Sequence, residues 1–306
     1  MARSFLTSAT LSSEDLFLIL ERAKTIKAAI RQHNTIDLLK NRVVGMLFEK
    51  PSTRTRTSFE AAILRLGGRA IYLSSSDLQL KRGEPVKDTG RMLGGYLDGL
   101  IARVYAHQGL EELSHYSGIP VINALSDLEH PTQAVCDLFT ISEAKGEIRG
   151  LTLAYIGDGN NVCHSLLLTC ALAGVDMRAA CPGGYHPRPD IFDNASEIAK
   201  KSGARLHLLE DPREAAAGAD VLYTDVWVSM GEEDEEEEKL EAFEGYQINA
   251  DLLRIAARDA LVMHCLPAHR GLEITDEVIE GPQSVVWQQG HNKMHGAAAI
   301  MDFFLL

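Results

Sequence analysis

Glu49-Lys50-Pro51-Ser52-Thr53-Arg54-Thr55-Arg56-Thr57-Ser58-Phe59-Glu60 gathers hydroxyls and guanidinium groups at one point of the chain, just after the apolar run Val43–Phe48. Helical periodicity then extends from about Thr55 to Leu66. The first N–H groups of a helix have no intrahelical partner and lie at the positive end of its dipole, so they suit a phosphate. Arginine adds charge-assisted, partly bidentate bonds. A capped helix start with surface arginines is the plainer reading, and the density of donors favours the anion site over it. No G-x-x-x-x-G-K-[ST] occurs, so a nucleotide P-loop is not indicated.

Further segments carry polar residues next to apolar runs. Gly157-Asp158-Gly159-Asn160-Asn161-Val162 is half a dinucleotide fingerprint, but Val162 replaces the third glycine and the next strand ends Ala-Ala-Cys-Pro without the ribose-binding acid. It reads better as a polar substrate loop. His130-Pro131-Thr132-Gln133 opens a helix, where a lone histidine is by default a cap or core residue. Arg103 closes the apolar run Leu100–Val104, a place where arginine usually has an anionic partner. In Asp225-Val226-Trp227-Val228-Ser229-Met230-Gly231, Asp225 could take the ammonium of an amino acid and backbone N–H groups of the turn its carboxylate; an ordinary Asx turn is an equal alternative. His264-Cys265-Leu266-Pro267-Ala268-His269-Arg270-Gly271 sets a thiol between histidines, which admits a Cys/His hydrolase, although the protease signatures are missing. His291 and His295 are spaced i, i+4, but the intervening residues lack the glutamate of H-E-x-x-H, so no metal is expected.

These segments sit in an alternation of strand and helix. Strands are expected at 43–48, 70–73, 100–104, 121–125, 151–156, 177–181, 206–209, 221–224 and 261–265, with helices at 131–145, 162–173 and 191–201 among those between. Ser12-Ser13-Glu14-Asp15 reads as a capping box ahead of Leu16, Leu20, Ala23 and Ile30 on one helical face, and Met294, Ala298, Met301 and Leu305 form a closing stripe. Two βαβ series imply an α/β protein of two doubly wound parallel sheets, divided near Ala144–Arg149. The length of 306 residues fits two domains. A formal charge of −13 argues against nucleic-acid or anionic-membrane partners, and the run Glu232–Lys239 supplies −6 of it. Five cysteines without a C-x-x-C pair, and no signal-peptide core or 18-residue apolar run, point to a reduced, cytoplasmic chain.

Taken in order, STRTRTSFE, HPTQ, GDGNN, DVWVSMG and HCLPAHRG resemble the aspartate/ornithine carbamoyltransferase family, and D-x-x-x-S-M-G with H-C-L-P places the likeness on the ornithine side. The resemblance spans the chain from Ser4 to His295. It implies carbamoyl transfer from carbamoyl phosphate to the δ-amine of L-ornithine, giving L-citrulline and phosphate, with no cofactor. Residues 1–145 would bind carbamoyl phosphate, joined by a helix over about 290–306; residues 146–289 would bind ornithine, with the active site in the cleft between. Ser52, Thr53, Arg54 and Thr55 would hold the phosphate with Arg103. His130 would bond the carbonyl oxygen, with Gln133 assisting, and Cys265 and Leu266 would contact the carbamoyl group, Leu266–Pro267 being cis. Asn161 (Asn160 as the lesser candidate), Asp225, Ser229 and Met230 would hold ornithine. The Asp77–Pro85 loop would carry Gln79 into a neighbour's site in a homotrimer. Where the family has Glu-Asn-Arg before its last histidine, this chain has His291-Asn292-Lys293-Met294-His295, so Lys293 offers the carbamoyl phosphate site a charge without the planar fork. Two other readings are a carbamoyltransferase for putrescine or an acylated ornithine, and a weakly catalytic carbamoyltransferase-like binding protein.

Overall fold

The computed structural model describes residues 3–74, 78–228, 234 and 236–306. They divide into two compact units, Met1–Phe139 with Asn292–Leu306, and Thr140–His291.

The first unit opens with α1 (Ser13–Arg31), whose capping box forms as the sequence suggests: Ser12 accepts from the Asp15 N–H, and Asp15 accepts from the Ser12 N–H. Its buried face holds Leu16, Leu20 and Ala23, but also Lys27. Then come β1 (Val43–Phe48), α2 (Thr53–Arg65), β2 (Arg69–Ser74), α3 (Val86–Gly94), β3 (Gly99–Arg103), α4 (His107–Ser117), β4 (Val121–Leu125) and α5 (Pro131–Lys145), which runs on into the second unit. Among the described residues the four strands form a parallel sheet in the order β2-β1-β3-β4. Val44, Met46, Leu47, Leu100, Ile101, Val121 and Ile122 are all buried, which is why these strands read as unbroken apolar runs.

The second unit contains β5 (Thr152–Ile156), α6 (Asn161–Ala173), β6 (Asp176–Ala180), α7 (Pro189–Ser202), β7 (Leu206–Leu209), α8 (Pro212–Ala216), β8 (Val221–Thr224), α9 (Glu236–Ala242), α10 (Ala250–Ile255), β9 (Leu261–His264), α11 (Asp276–Ile279) and the first residues of α12 (Val286–Leu305). Its described strands form a parallel sheet in the order β7-β6-β5-β8-β9. Helix α6 is buried on all sides, from Val162 to Ala173. Helices α8, α10 and α11 have four to six residues, too few for a periodicity to declare them.

The strand order reverses between β1 and β3 in one sheet and between β5 and β8 in the other. Open parallel sheets bind ligands beyond the carboxyl ends of the strands at such points. No described helix is long and apolar enough to cross a membrane.

Candidate active site

In the first unit, three candidate segments follow neighbouring strands. Register pairs Phe48 of β1 with Arg103 of β3, and Arg103 with Leu125 of β4 after a shift at Ala102/Arg103. The chain leaves β1 into the start of α2, and leaves β4 toward His130. Ser52 is the N-cap of α2, its hydroxyl accepting from the Thr55 N–H at 3.3 Å. Thr53 and Arg54 are exposed and Thr55 is buried. The second guanidinium of the motif points elsewhere: Arg56 stacks 3.6 Å from the Tyr72 ring centroid and pairs with Glu60 at 3.6 Å. Of the two guanidinium groups that the motif offers, Arg56 is therefore already engaged by its own protein neighbours.

Arg103 is only 9% exposed. His130, immediately before α5, is buried, and its imidazole is held well below the ordinary histidine range, first by burial and then by the positive charges of Lys293 and Arg103. It is a neutral ring among cations, so it can donate a hydrogen bond without adding charge. Its Nδ1 lies 3.5 Å from Thr132 Oγ1. Gln133, on the first turn of α5, accepts at Oε1 from the Lys293 ammonium at 2.6 Å and donates through Nε2 to Asp137 at 2.7 Å. Cys136, on the same helix, has its thiol pushed up to about 12, mainly by burial. Gln79 is exposed on a short 3-10 turn, Gln79–Arg82, and accepts a 3.4 Å bond from Arg82. Asp77 lies outside the described residues.

In the second unit the polar residues follow β5, β8 and β9, adjacent in the sheet. Asp225 Oδ1 accepts from the Cys265 thiol at 2.9 Å, and Oδ2 accepts from Asn160 Nδ2 at 3.0 Å. Asn160 is also the N-cap of α6, its side-chain oxygen accepting from the Val162 and Cys163 N–H groups at 2.9 and 3.2 Å. Of the two asparagines, the family resemblance favours Asn161; it is Asn160 that bonds Asp225, while Asn161 is the first helical residue. Gly159 permits this turn, because a Cβ there would lie 2.2 Å from Pro187 N. Ser229 and Met230 lie outside the described residues.

Two residues absent from the sequence-derived site hold the backbone that follows Cys265. His264 is fully buried; its Nδ1 accepts from the Leu266 N–H at 2.8 Å and its Nε2 donates to Glu273 at 2.9 Å. That pairing fixes the tautomer, because Nδ1 is the acceptor. A histidine at the end of an apolar strand is the available signal, and Glu273, nine residues on, has none. Leu266–Pro267 is cis, and Leu266 has φ 61, a left-handed conformation that costs a leucine about 1–3 kcal/mol and clusters at functional sites. Asp225, His264 and Cys265 offer ligand atoms within 4.8 Å of one another, so they are the described residues best placed to hold a metal. Each already has a hydrogen-bond partner, which a metal would have to displace.

With polar residues gathered beyond the strand ends of both parallel sheets, the chain has the build of a two-domain α/β enzyme. "Aspartate/ornithine carbamoyltransferase, carbamoyl-P binding domain" matches residues 3–143, and "Aspartate/ornithine carbamoyltransferase, Asp/Orn binding domain" matches residues 149–304. The chain belongs to the aspartate/ornithine carbamoyltransferase family. It is 53% identical to an ornithine carbamoyltransferase of Gloeobacter violaceus, over 95% of this chain and 92% of that protein. With an ornithine carbamoyltransferase of Methanosarcina acetivorans it shares 48% identity over 98% of each. The solved ornithine carbamoyltransferase from Pyrococcus furiosus superposes with a TM-score of 0.96 at 46% identity, over 99% of this chain and 97% of that one.

Proposed function

We propose that the chain is an enzyme that moves the carbamoyl group of carbamoyl phosphate to the δ-amine of L-ornithine, releasing L-citrulline and phosphate. The observation that carries this reading is the trio Asn160–Asp225–Cys265, which sets a carboxylate ready for an ammonium beside the thiol of the H-C-L-P segment. Identity near 50% to proteins named for this activity supports it.

In this reading residues 1–145, with about 290–306, serve carbamoyl phosphate and 146–289 serve ornithine. Ser52, Thr53, Arg54, Thr55 and Arg103 take the phosphate at the start of α2. Neutral His130 donates to the carbonyl oxygen, which becomes negative as the amine attacks. Gln133, Lys293, Cys265 and Leu266 hold the carbamoyl end, while Asp225, Asn161 or Asn160, Ser229 and Met230 hold ornithine. A lysine-like amine of pKa about 10.4 is neutral in only about one molecule in 10³ at pH 7.4, so the site must select or generate the neutral form. The nitrogen lone pair forms the new C–N bond, the C–O bond to phosphate breaks, and phosphate leaves with the electron pair and takes up the proton that the amine nitrogen gives up. The reading extends to a homotrimer in which exposed Gln79 serves the adjacent subunit, to a cytoplasmic location, and to arginine biosynthesis. Similarity to the solved anabolic ornithine carbamoyltransferase from Campylobacter jejuni, 43% identical with a TM-score of 0.93, supports the last.

The test is a citrulline assay with ornithine, putrescine, acetylornithine and aspartate as acceptors. Ornithine is expected to be preferred by orders of magnitude. Preference for another amine would replace the acceptor, and no turnover with any of them would leave a binding protein.

A further inference from the structure

Lys293, Gln133 and Asp137 form a chain of hydrogen bonds whose direction chemistry dictates. An ammonium has only hydrogens to give, an ionised carboxylate only lone pairs to offer, and a primary amide has both. Gln133 takes 2.6 Å from Lys293 on its oxygen and gives 2.7 Å to Asp137 from its nitrogen. Turning the amide over would set nitrogen against ammonium and oxygen against carboxylate, losing both charge-assisted bonds at once. Lys293 is 8% exposed, Gln133 1% and Asp137 0%, so water is a poor substitute for any member. Gln133 and Asp137 are i and i+4 on α5, on one face of the helix. The Gln133 N–H bonds the His130 carbonyl at 3.0 Å, which ties the middle of the chain to the neutral histidine.

The backbone that carries Lys293 is equally constrained. The Cys136 thiol lies 3.8 Å from the Lys293 carbonyl, and a Cβ on Gly296 would stand 2.3 Å from Cys136 Sγ. Over residues 292–305, α12 is thus seated too closely on α5 to shift, and only the side chain of Lys293 remains to be aimed. A guanidinium would bring its own rigid plane of donors to such a site; a compact ammonium on a flexible stem does not.

We propose that Asp137 is a positioning residue of the carbamoyl phosphate half-site: acting through Gln133, it fixes the ammonium of Lys293, the cation this chain carries where the family resemblance leads one to expect arginine. The proposal rests on the function given above. It makes Gln133 first a bracket for Lys293, and it confines the effect of Asp137 to the phosphorylated substrate.

The test is a double-mutant cycle on the full-length chain with Asp137→Asn, Lys293→Met and the pair, varying both substrates. Asparagine keeps the shape of Asp137 but removes the one-way acceptor. Asp137→Asn is expected to raise the carbamoyl phosphate KM about tenfold while the ornithine KM stays within about twofold. The double variant should match Lys293→Met alone, because a residue acting through Lys293 has nothing left to position. Multiplying effects, or equal rises in both KM values, would overturn the proposal. If melting shows Asp137→Asn unfolded, Gln133→Met in the same cycle breaks the same link. Titration of each variant with carbamoyl phosphate in the absence of ornithine reads the half-site without turnover, and weaker binding is expected wherever Lys293 is present and its bracket is broken. Wild-type chain without citrulline production but with this binding pattern would sink the function and leave the positioning role; citrulline production with additive effects would do the reverse.

Discussion

The phosphate cradle proposed for the first unit is four consecutive residues at one helix start, with Thr53 and Arg54 exposed. The second unit's polar trio comes from three separate strand ends and is already bonded to itself, Asp225 to both Cys265 and Asn160. The contrast follows from the ligands each would take. A phosphate brings its own charge, and a row of N–H groups, hydroxyls and a guanidinium can wait for it in water at little cost. A carboxylate that must recognise an ammonium, being buried, needs partners before the ligand arrives. On the proposed function, binding in the second unit would exchange bonds, whereas binding in the first would add them.

Four measurements put that contrast at risk. The largest effect is expected for Arg54→Ala, where loss of a donor to developing charge costs about 10²–10³ in kcat or more, with the melting temperature nearly unchanged because the residue is exposed. Unchanged turnover would remove the cradle argument. Asp225→Ala should raise the ornithine KM about 10- to 100-fold, the equivalent of a charge-assisted bond of about 1.5–3 kcal/mol, and should also lower stability, since Asn160 and Cys265 lose a partner. An effect on carbamoyl phosphate alone would contradict the assignment. Cys265→Ala should retain measurable turnover, reduced by about tenfold if one weak polar contact is lost; complete loss with a trapped adduct would mean covalent catalysis.

The smallest effect is a slope with pH. His130 is neutral when folded and has an ordinary value near 6.5 when unfolded, so below that pH the unfolded chain binds the extra proton. Stability from this group is complete above pH 6.5 and falls with further acidification, by at most about 1.4 kcal/mol per pH unit. Urea midpoints from pH 7.5 to 5 should decline less steeply in His130→Gln than in wild type, and parallel curves would refute a neutral buried ring.

The same contrast governs what can be read without coordinates. All nine strand positions stand in the sequence to within a residue or two, since each is a short apolar run closed by a polar turn. The STRTRTSFE cradle is legible because it is contiguous. Arg56 departs from it, its direction set by Tyr72 from the neighbouring strand β2 and by Glu60 one helical turn on. Asn160 and Asn161 pose a related difficulty: adjacent letters differ only in which one the helix start turns toward Asp225. A buried charge such as Lys27 on α1 gives no signal among its chain neighbours, because its partner can lie far along the chain, as Asn292 does.

The alternation of elements, the two-sheet architecture and the family were all contained in the order of the residues, because they depend on local periodicity and on motifs whose members are neighbours in the chain. Folding had to bring Glu273 to His264, join Asn160 to Cys265 through Asp225, and stand Gln133 between Lys293 and Asp137. Hydrogen bonds act over about 3 Å in space and leave no trace in a one-dimensional order where their partners are 9, 40, 65 or 160 residues apart.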